Sequence, residues 1–260
     1  MDGTKLFLSL VAKIPLMARI ILMHLVRASE QSKYLDLRTE LIIAVIRSYM
    51  TSGTPRSVSH TQRMLGKAPS PKGRIWIARY TCPVPESAEG KPENGPEDAV
   101  LQAIDGLRDP RIPNVPLSRK PGVVPVEAEW TGYRAAATKE ERMPAELDER
   151  GRYDEMMKEV KARTTVLYFH GGAYYLMDPA THRPTVKKLA KLTGGRCYSV
   201  RYRLAPQNPF PAALVDALTS YLALLYPPEG AFHEAVRPED VVFAGDRYVS
   251  PPSYPLFSSP

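Results

Sequence analysis

The amino-acid sequence predicts an α/β protein in which helices flank a parallel sheet, preceded by an N-terminal helical region. Three observations lead to this prediction. From residue 164 onward, short apolar runs rich in β-branched and aromatic residues alternate with helical patterns, which is typical of strand–helix–strand units. The first of these runs ends at a pair of glycines. Two amphipathic segments lie within the first 50 residues.

The sheet is expected to contain five strands. Three apolar runs predict parallel strands that are buried on both faces, and two alternating patterns upstream predict further strands. The strands are expected at residues 74–80, 124–133, 164–169, 196–204 and 241–244. Helical periodicity predicts helices at residues 97–107, 142–163, 182–192 and 212–225.

The N-terminal region predicts two amphipathic helices, at residues 6–26 and 37–50. Lys13, Pro15 and Arg19 interrupt the first one, so it lacks the roughly 20 apolar residues that a membrane-spanning helix needs. An amphipathic helix can instead pack on the protein or lie on a membrane surface, and both alternatives stay open. Residues 51–72 are polar and basic and predict a mobile connection.

Composition excludes several classes of protein. With 43% hydrophobic and 24% charged residues among 260, the chain is neither disordered nor collagen-like. The net charge of +7 is concentrated in residues 1–82, which hold 13 Lys and Arg against 4 Asp and Glu. No nucleic-acid recognition module accompanies these charges, so no nucleic-acid partner is expected. The basic stretch is either a solvated face or a surface that attracts anionic lipid headgroups.

The two cysteines, Cys82 and Cys197, are too few for a disulfide framework and lack metal-ligand spacing. No cofactor or metal is therefore expected. A reducing, cytoplasmic location is the simpler interpretation, with peripheral membrane contact through residues 1–50 as the alternative.

A loop that could bind a ligand or take part in catalysis follows the first buried strand, at His170, Gly171, Gly172 and Ala173. Glycine has no Cβ, so the backbone there can approach a ligand closely. Two successive amides that point into a cleft could hold a developing oxyanion. An ordinary strand-to-helix turn would have the same composition, so this loop does not settle its role by itself.

Three further motifs give the loop a context. The sequence reads HGGA at 170–173, YRLAP at 202–206, NPFPAA at 208–213 and VFAGD at 242–246. In this order and spacing the motifs resemble the hormone-sensitive-lipase branch of the α/β-hydrolase family. The resemblance covers residues 164–246 and implies the N-terminal part of that family's sheet. It also implies that residues 1–70 correspond to the cap that this branch places over its acyl pocket.

The resemblance implies roles for individual residues. Gly171 and Gly172 would supply oxyanion-hole amides, and His170 and Ala173 would support that loop. Tyr174 and Tyr175 would line the pocket for the acyl group or the alcohol, or merely pack the loop. Gln207 stands where the family usually has Glu, which puts any role of a charge there in doubt.

The nucleophile elbow begins correctly with Gly245 and Asp246 and then departs from the family pattern. Arg247 occupies the position of the nucleophilic serine, and arginine cannot attack an acyl carbon. The following Tyr248 and Val249 are not small, and residues 248–260 contain four Pro, four Ser and no charge. We therefore predict an α/β-hydrolase core truncated at its elbow, ending in a non-homologous tail. An unspliced intron, a frameshift or a truncated isoform would each produce this break.

Two functions follow from these observations. The family implies hydrolysis of small-molecule carboxylic esters by a serine nucleophile, but this chain lacks that serine and is predicted to be inactive. The alternative is a non-catalytic protein that binds an acyl ligand or a partner. The predicted organisation is a cap-like region at 1–70, an incomplete hydrolase core at 71–246 and a tail at 247–260.

Overall fold

The computed structural model describes residues 11–51, 57–66, 70–85, 95–109, 111 and 120–246. Contacts divide the chain into two compact units, Met1–Ser57 and Val58–Pro260. Predictions for the tail, including that for Arg247, lie outside the described residues. No helix among the described residues is long and apolar enough to cross a membrane.

The first unit contains two α-helices, α1 (Ile14–Leu25) and α2 (Leu37–Thr51), at the places that the periodicity predicts. Pro15 lies in the first turn of α1, where a missing amide proton costs nothing. The buried carboxylate of Glu40 joins the helices, because it binds His24 Nδ1 at 2.5 Å and accepts a hydrogen bond from the Ser29 hydroxyl at 2.7 Å. The role of this unit as a cap stays a prediction.

The second unit alternates helices and strands. Its strands are β1 (Trp76–Cys82), β2 (Val126–Gly132), β3 (Thr165–Phe169), β4 (Arg196–Arg201) and β5 (Val241–Gly245). Its helices are α3 (Val58–Leu65), α4 (Pro96–Gly106), α5 (Glu149–Glu159), α6 (Arg183–Thr193) and α7 (Ala212–Leu225).

The five strands form one mixed sheet in the order β1-β2-β4-β3-β5. The parallel arrangement is confirmed for β4, β3 and β5. The two upstream strands make the sheet mixed, because β1 and β2 pair antiparallel with each other and β2 pairs antiparallel with β4.

Two further expectations are corrected. Strand β5 was expected to be buried on both faces, but it lies at the edge of the sheet, with Val242 47% and Phe243 60% exposed. The stretch 51–72 was expected to be a mobile connection, but it contains α3. This helix has few apolar residues, so its sequence carries no strong signal. Contacts with distant loops hold it instead, since Gln62 donates hydrogen bonds to the carbonyls of Tyr175 and Ala205.

The core lies mainly over β1, β2 and β4, on the face that α5 and α7 cover. Trp130 is fully buried there, packed edge-on against Tyr153 and Tyr198. On the opposite face, α6 covers a smaller cluster around Val166 and Val186. Because helices cover both faces of the sheet, a ligand can approach it where the strands end.

Candidate active site

The three parallel strands end at one edge of the sheet, and the motif residues follow them there. His170 comes directly after β3, Tyr202 after β4 and Asp246 after β5. In open α/β sheets, ligands bind outside the carboxyl ends of the strands. The fold therefore brings the predicted loop and the elbow remnant, which are 75 residues apart in sequence, to a single place.

His170 is buried and held from several sides. Its ring stacks on Tyr202, with centroids 4.3 Å apart, and its Nδ1 lies 2.8 Å from the carbonyl oxygen of Gly171. The Tyr202 hydroxyl donates a hydrogen bond of 2.5 Å to the backbone carbonyl of His170. Burial lowers the pKa of His170 to about 4. A neutral, packed imidazole of this kind fits the predicted loop-supporting role better than that of a general base.

The loop after His170 has an unusual backbone. Gly172 has φ +121°, and a Cβ added there would lie 2.1 Å from the Leu176 carbonyl oxygen. Three non-glycine residues of the loop, Ala173, Tyr174 and Met177, also have positive φ. Such conformations cost about 1–3 kcal/mol each and occur often at ligand-binding sites. The Gly172 carbonyl, which accepts hydrogen bonds from the amides of Tyr175 and Leu176, closes the loop into a tight turn.

Asp246 lies against this loop, and a Cβ on Gly171 would be 2.8 Å from the Asp246 Cβ. The Tyr168 hydroxyl and His182 Nε2 each donate to its carboxylate at 2.5 Å. Partial burial acts to raise the pKa of Asp246. The hydrogen bonds from Tyr168, His182 and the Gly171 amide, together with the charge of His182, nevertheless hold it below its ordinary value. The Gly171 amide is thus directed at a carboxylate of the chain itself.

His182 is a site residue that the sequence analysis missed. It lies at the end of a short 3-10 turn, Pro179–His182, just before α6. Its Nδ1 is 2.8 Å from the Thr181 hydroxyl, and its ring is 5.8 Å from that of His170. A histidine in the first turn after a strand's carboxyl-end loop was a signal that could have indicated it, because that turn must lie at the same edge of the sheet.

The proline-rich segment after β4 is fixed by a buried ion pair. Asp216, which is 1% exposed on α7, accepts hydrogen bonds from the backbone amide of Arg203 at 2.7 Å and from its Nε at 2.9 Å. Gln207 donates from its side-chain amide to the Ser59 hydroxyl and to Gln62 Oε1, at 2.8 and 3.0 Å. Glutamate, the family's usual residue there, could not donate these bonds, so Gln207 has a role in packing α3.

An apolar cavity of about 540 Å³ opens beside Asp246. Tyr174 lines it, whereas Tyr175 is not among the lining residues, so the two tyrosines that the sequence placed together are separated. The cavity lies between α7 and β5. Its lining consists of Phe169, Tyr174, Tyr202, Ala213, Leu214, Ala217, Leu218, Tyr221, Phe243, Ala244, Gly245 and Asp246. Its surroundings suit a hydrocarbon group better than a charged one.

The structure thus brings together six of the predicted site residues, and Arg247 lies outside the described part of the chain. These six are His170, Gly171, Gly172, Ala173, Gly245 and Asp246. Within the described residues, no cluster of histidine, cysteine or carboxylate side chains could hold a metal ion.

Comparison with known families agrees with the resemblance of the motifs to α/β hydrolases. Residues 166–247 match the family model described as the alpha/beta hydrolase fold. An acetyl-hydrolase of Streptomyces hygroscopicus is 38% identical over 82 residues, which cover 32% of this chain and 25% of the relative. Human hormone-sensitive lipase is 34% identical over 61 residues, or 24% of this chain and 6% of the lipase. Carboxylesterase NlhH of Mycobacterium tuberculosis is 37% identical over 81 residues, or 31% and 24% of the two chains.

Among solved structures, a bacterial esterase of the hormone-sensitive lipase family covers 89% of this chain and 47% of its own, with 19% identity and a TM-score of 0.39. An esterase from Pyrobaculum calidifontis covers 79% and 48%, with 18% identity and a TM-score of 0.41. The chain spans a quarter or less of the length of the curated relatives named above, and about half of these two structures.

The fold is that of the α/β hydrolases, and residues 166–247 match their family model. Segments of the chain are similar to hormone-sensitive lipases and to bacterial esterases.

Proposed function

We propose that this chain provides the acyl-binding part of a carboxylesterase site and that the 260-residue polypeptide does not itself turn esters over. The observation that carries the proposal is the apolar cavity of about 540 Å³ that opens beside the strained Gly172 loop and Asp246. An acyl chain placed in this cavity would bring its ester group to the carboxyl ends of β3 and β5.

The oxyanion role falls to the Gly172 end of the loop in this proposal. An oxyanion hole needs amides aimed at the position where negative charge develops. The Gly171 amide already faces the Asp246 carboxylate, which would repel an oxyanion. The amide of Gly172, whose φ of +121° only glycine adopts easily, is therefore the better candidate.

The expected absence of ester turnover follows from the residue at the nucleophile position and from the positions of the histidines. Arg247 occupies the nucleophile position, and a guanidinium has no lone pair to offer an acyl carbon. The five histidines of the sequence all precede that position, whereas the family order of the triad is serine, then acid, then histidine. His182 is engaged with Asp246 at 2.5 Å. A hydrolytic triad would have to be completed from elsewhere.

Two assays on the purified chain test the two parts of the proposal. Release of p-nitrophenol from p-nitrophenyl butyrate should not exceed the buffer rate, and rapid turnover would refute the expected inactivity. Ethyl butyrate should bind, as seen by saturation-transfer NMR. Ala217→Phe should abolish this signal because it fills the cavity, while Leu192→Phe, at a position 72% exposed and outside the lining, should leave it unchanged. Equal signals in both variants would refute the acyl site.

A second role, contact with a membrane surface through residues 1–50, is favoured by one specific observation. Ile14, Leu22 and Leu25 of α1 are each more than half exposed, and they recur at spacings of eight and three residues. That spacing places them on one side of a helix. Lys13 and Arg19 add positive charge nearby.

Liposome co-sedimentation tests this second role. Binding to vesicles that contain anionic lipid should fall as salt rises, because screening weakens attraction between exposed charges. The variant Leu22→Glu should bind less, and Leu107→Glu, at a residue 86% exposed elsewhere, should bind as the unchanged chain does. Absence of binding at low salt would remove this role.

A further inference from the structure

A second cavity lies at the opposite edge of the sheet, where the parallel strands begin. Its volume is about 700 Å³. Arg196, the first residue of β4, lines it, as do Arg163 just before β3 and Asp240 just before β5. Because these residues precede the strands whose carboxyl ends form the candidate active site, the two cavities are separated by the length of the strands.

Arg196 is the most unusual group in this cavity. It is partly buried, and its guanidinium lies over the rings of Trp130 at 5.1 Å and Tyr153 at 5.9 Å. Its hydrogen bonds go to neutral groups, since Nη1 donates to the Tyr153 hydroxyl at 2.6 Å and Nε to the Thr165 hydroxyl at 3.2 Å. No carboxylate among the described residues lies within ion-pair distance of it. A partly buried cation without a counter-ion is costly, and a bound anion would remove that cost.

Two more cations of the lining lack a carboxylate partner. Lys161 and Arg163 are exposed at the cavity and form no ion pair with any residue that the structure describes. Arg237 lines the same cavity but is compensated, because it binds Asp240 at 3.0 Å and Glu239 at 3.1 Å. The lining has two carboxylates: Asp240 is paired with Arg237, which leaves Glu234 against the three uncompensated cations. The cavity therefore carries a net positive charge.

The cavity also offers apolar surface. Phe232 and Val236 are among its lining residues. His233 lies near them in sequence, and its buried ring donates from Nε2 to the carbonyl of Ala223 at 3.1 Å, which holds this part of the lining against α7.

We propose that this cavity binds a small organic carboxylate. Its carboxylate would bind the free end of the Arg196 guanidinium, whose planar fork matches the two carboxylate oxygens. Lys161 and Arg163 would attract the anion, and the hydrocarbon part would pack on Phe232. The proposal is independent of whether the other edge of the sheet binds or hydrolyses esters.

Trp130 provides a direct readout, because it lies beneath Arg196 and the chain has only two tryptophans. In the full-length chain with Trp76→Phe, the remaining fluorescence comes from Trp130. Titration with sodium 3-hydroxybutyrate at constant ionic strength should change this fluorescence in a saturable way. The amide analogue 3-hydroxybutyramide should produce no saturable change, because it lacks the carboxylate.

Substitutions sharpen the test. Arg196→Lys should weaken binding by about tenfold or more, because lysine keeps the charge but loses the bidentate fork. If this variant does not fold, Lys161→Gln combined with Arg163→Gln, both at exposed positions, should still weaken binding several-fold. Arg237→Gln is the matched control, since it removes a lining charge that is already compensated, and its affinity should stay within about twofold.

Three results would overturn the proposal. The same fluorescence change with sodium chloride as with 3-hydroxybutyrate would indicate an ionic-strength effect. Arg237→Gln could weaken binding as much as the Lys161 and Arg163 changes, which would indicate non-specific attraction to surface charge. Inorganic phosphate binding as tightly as 3-hydroxybutyrate would refute the carboxylate class.

Discussion

The strands at the two ends of the sheet differ sharply in how well their side chains are covered: β1, β2 and β4 form one side, and the edge strand β5 forms the other. On the side of β1, β2 and β4, Trp130, Tyr198 and Val200 are completely buried. On the side of β5, Val242 and Phe243 are 47% and 60% exposed. Both sides carry similar apolar residues, so the difference comes from the neighbours that each strand has and not from composition.

This difference places the main contribution to folding stability and the proposed ligand binding in different parts of the sheet. Free energy from apolar burial is gained where the surface is removed from water, which is the β1–β2–β4 side. The β5 side keeps apolar surface available, and the proposed acyl cavity lies there. Four predictions test or sharpen this separation, beginning with the largest expected effect.

Truncation of Trp130 should be the most damaging change. Trp130→Ala removes a fully buried indole and should lower the free energy of unfolding by about 3–5 kcal/mol. Phe243→Ala on the exposed strand should cost less than about 1 kcal/mol, because little surface is lost from a core. Urea unfolding followed by circular dichroism measures both. Similar losses for the two variants would contradict the division into a stabilising and a binding side.

Acid should lower the free energy of unfolding through two buried histidines, His170 and His233. Burial lowers the pKa of His170 and of His233 to about 4, against about 6.5 in an unfolded chain. Above pH 6.5 both states are neutral there and the stability is fully present. As the pH falls from 6.5 toward 4, the unfolded chain takes up protons that the folded chain refuses, so stability declines.

Urea unfolding at a series of pH values measures this decline. His170→Gln should make the decline shallower because it removes one of the two groups. A stability that does not change between pH 6.5 and 4.5 would contradict the assignment.

The Gly172 loop should tolerate no side chain. Gly172→Ala forces a Cβ to within 2.1 Å of the Leu176 carbonyl oxygen at φ +121°, and we expect a loss of about 1–3 kcal/mol. Gly106→Ala is the matched control, since nothing lies within 4 Å of a Cβ there and Gly106 ends a helix. That change should be neutral or stabilising by up to about 1 kcal/mol. Equal thermal stability of the two variants would show that the loop is not constrained.

The smallest effect is expected at Gln207. Gln207→Glu replaces two donated hydrogen bonds to Ser59 and Gln62 with an acceptor that faces an acceptor, at an exposed position. Global stability should fall by less than about 1 kcal/mol. Hydrogen exchange of the amides in α3 should nevertheless accelerate, whereas Gln102→Glu on exposed α4 should leave α3 unchanged. Unchanged exchange in α3 after Gln207→Glu would show that this residue does not hold the helix.

Local patterns in the sequence predicted much of the second unit. The bounds predicted for the helix at 212–225 are those of α7, because its apolar residues recur with helical periodicity over its whole length. The glycine pair after β3 was located correctly, since a glycine requirement is a property of the local backbone. The motif resemblance indicated which loop faces the site.

Other features depended on contacts that no local pattern encodes. His182 had no pattern of its own, and it joined the site because Asp246 approaches it from a strand more than 60 residues away. The exposure of β5 could not be predicted from Val241–Gly245, since an edge strand and a central strand share the same apolar composition. Helix α3 has only three apolar residues, Val58, Met64 and Leu65, and is held by Gln62 and Gln207.

The sequence by itself determined the alternation of strands and helices, the positions that require glycine, and the identity of the residue that follows Asp246. These properties depend on the periodicity of side chains and on the chemistry of single residues. The tertiary structure alone decided the strand order, the pairing of His182 with Asp246, and the gathering of Lys161, Arg163 and Arg196 around one cavity. Those outcomes depend on distances between residues far apart in the chain, which only packing of the whole sheet establishes.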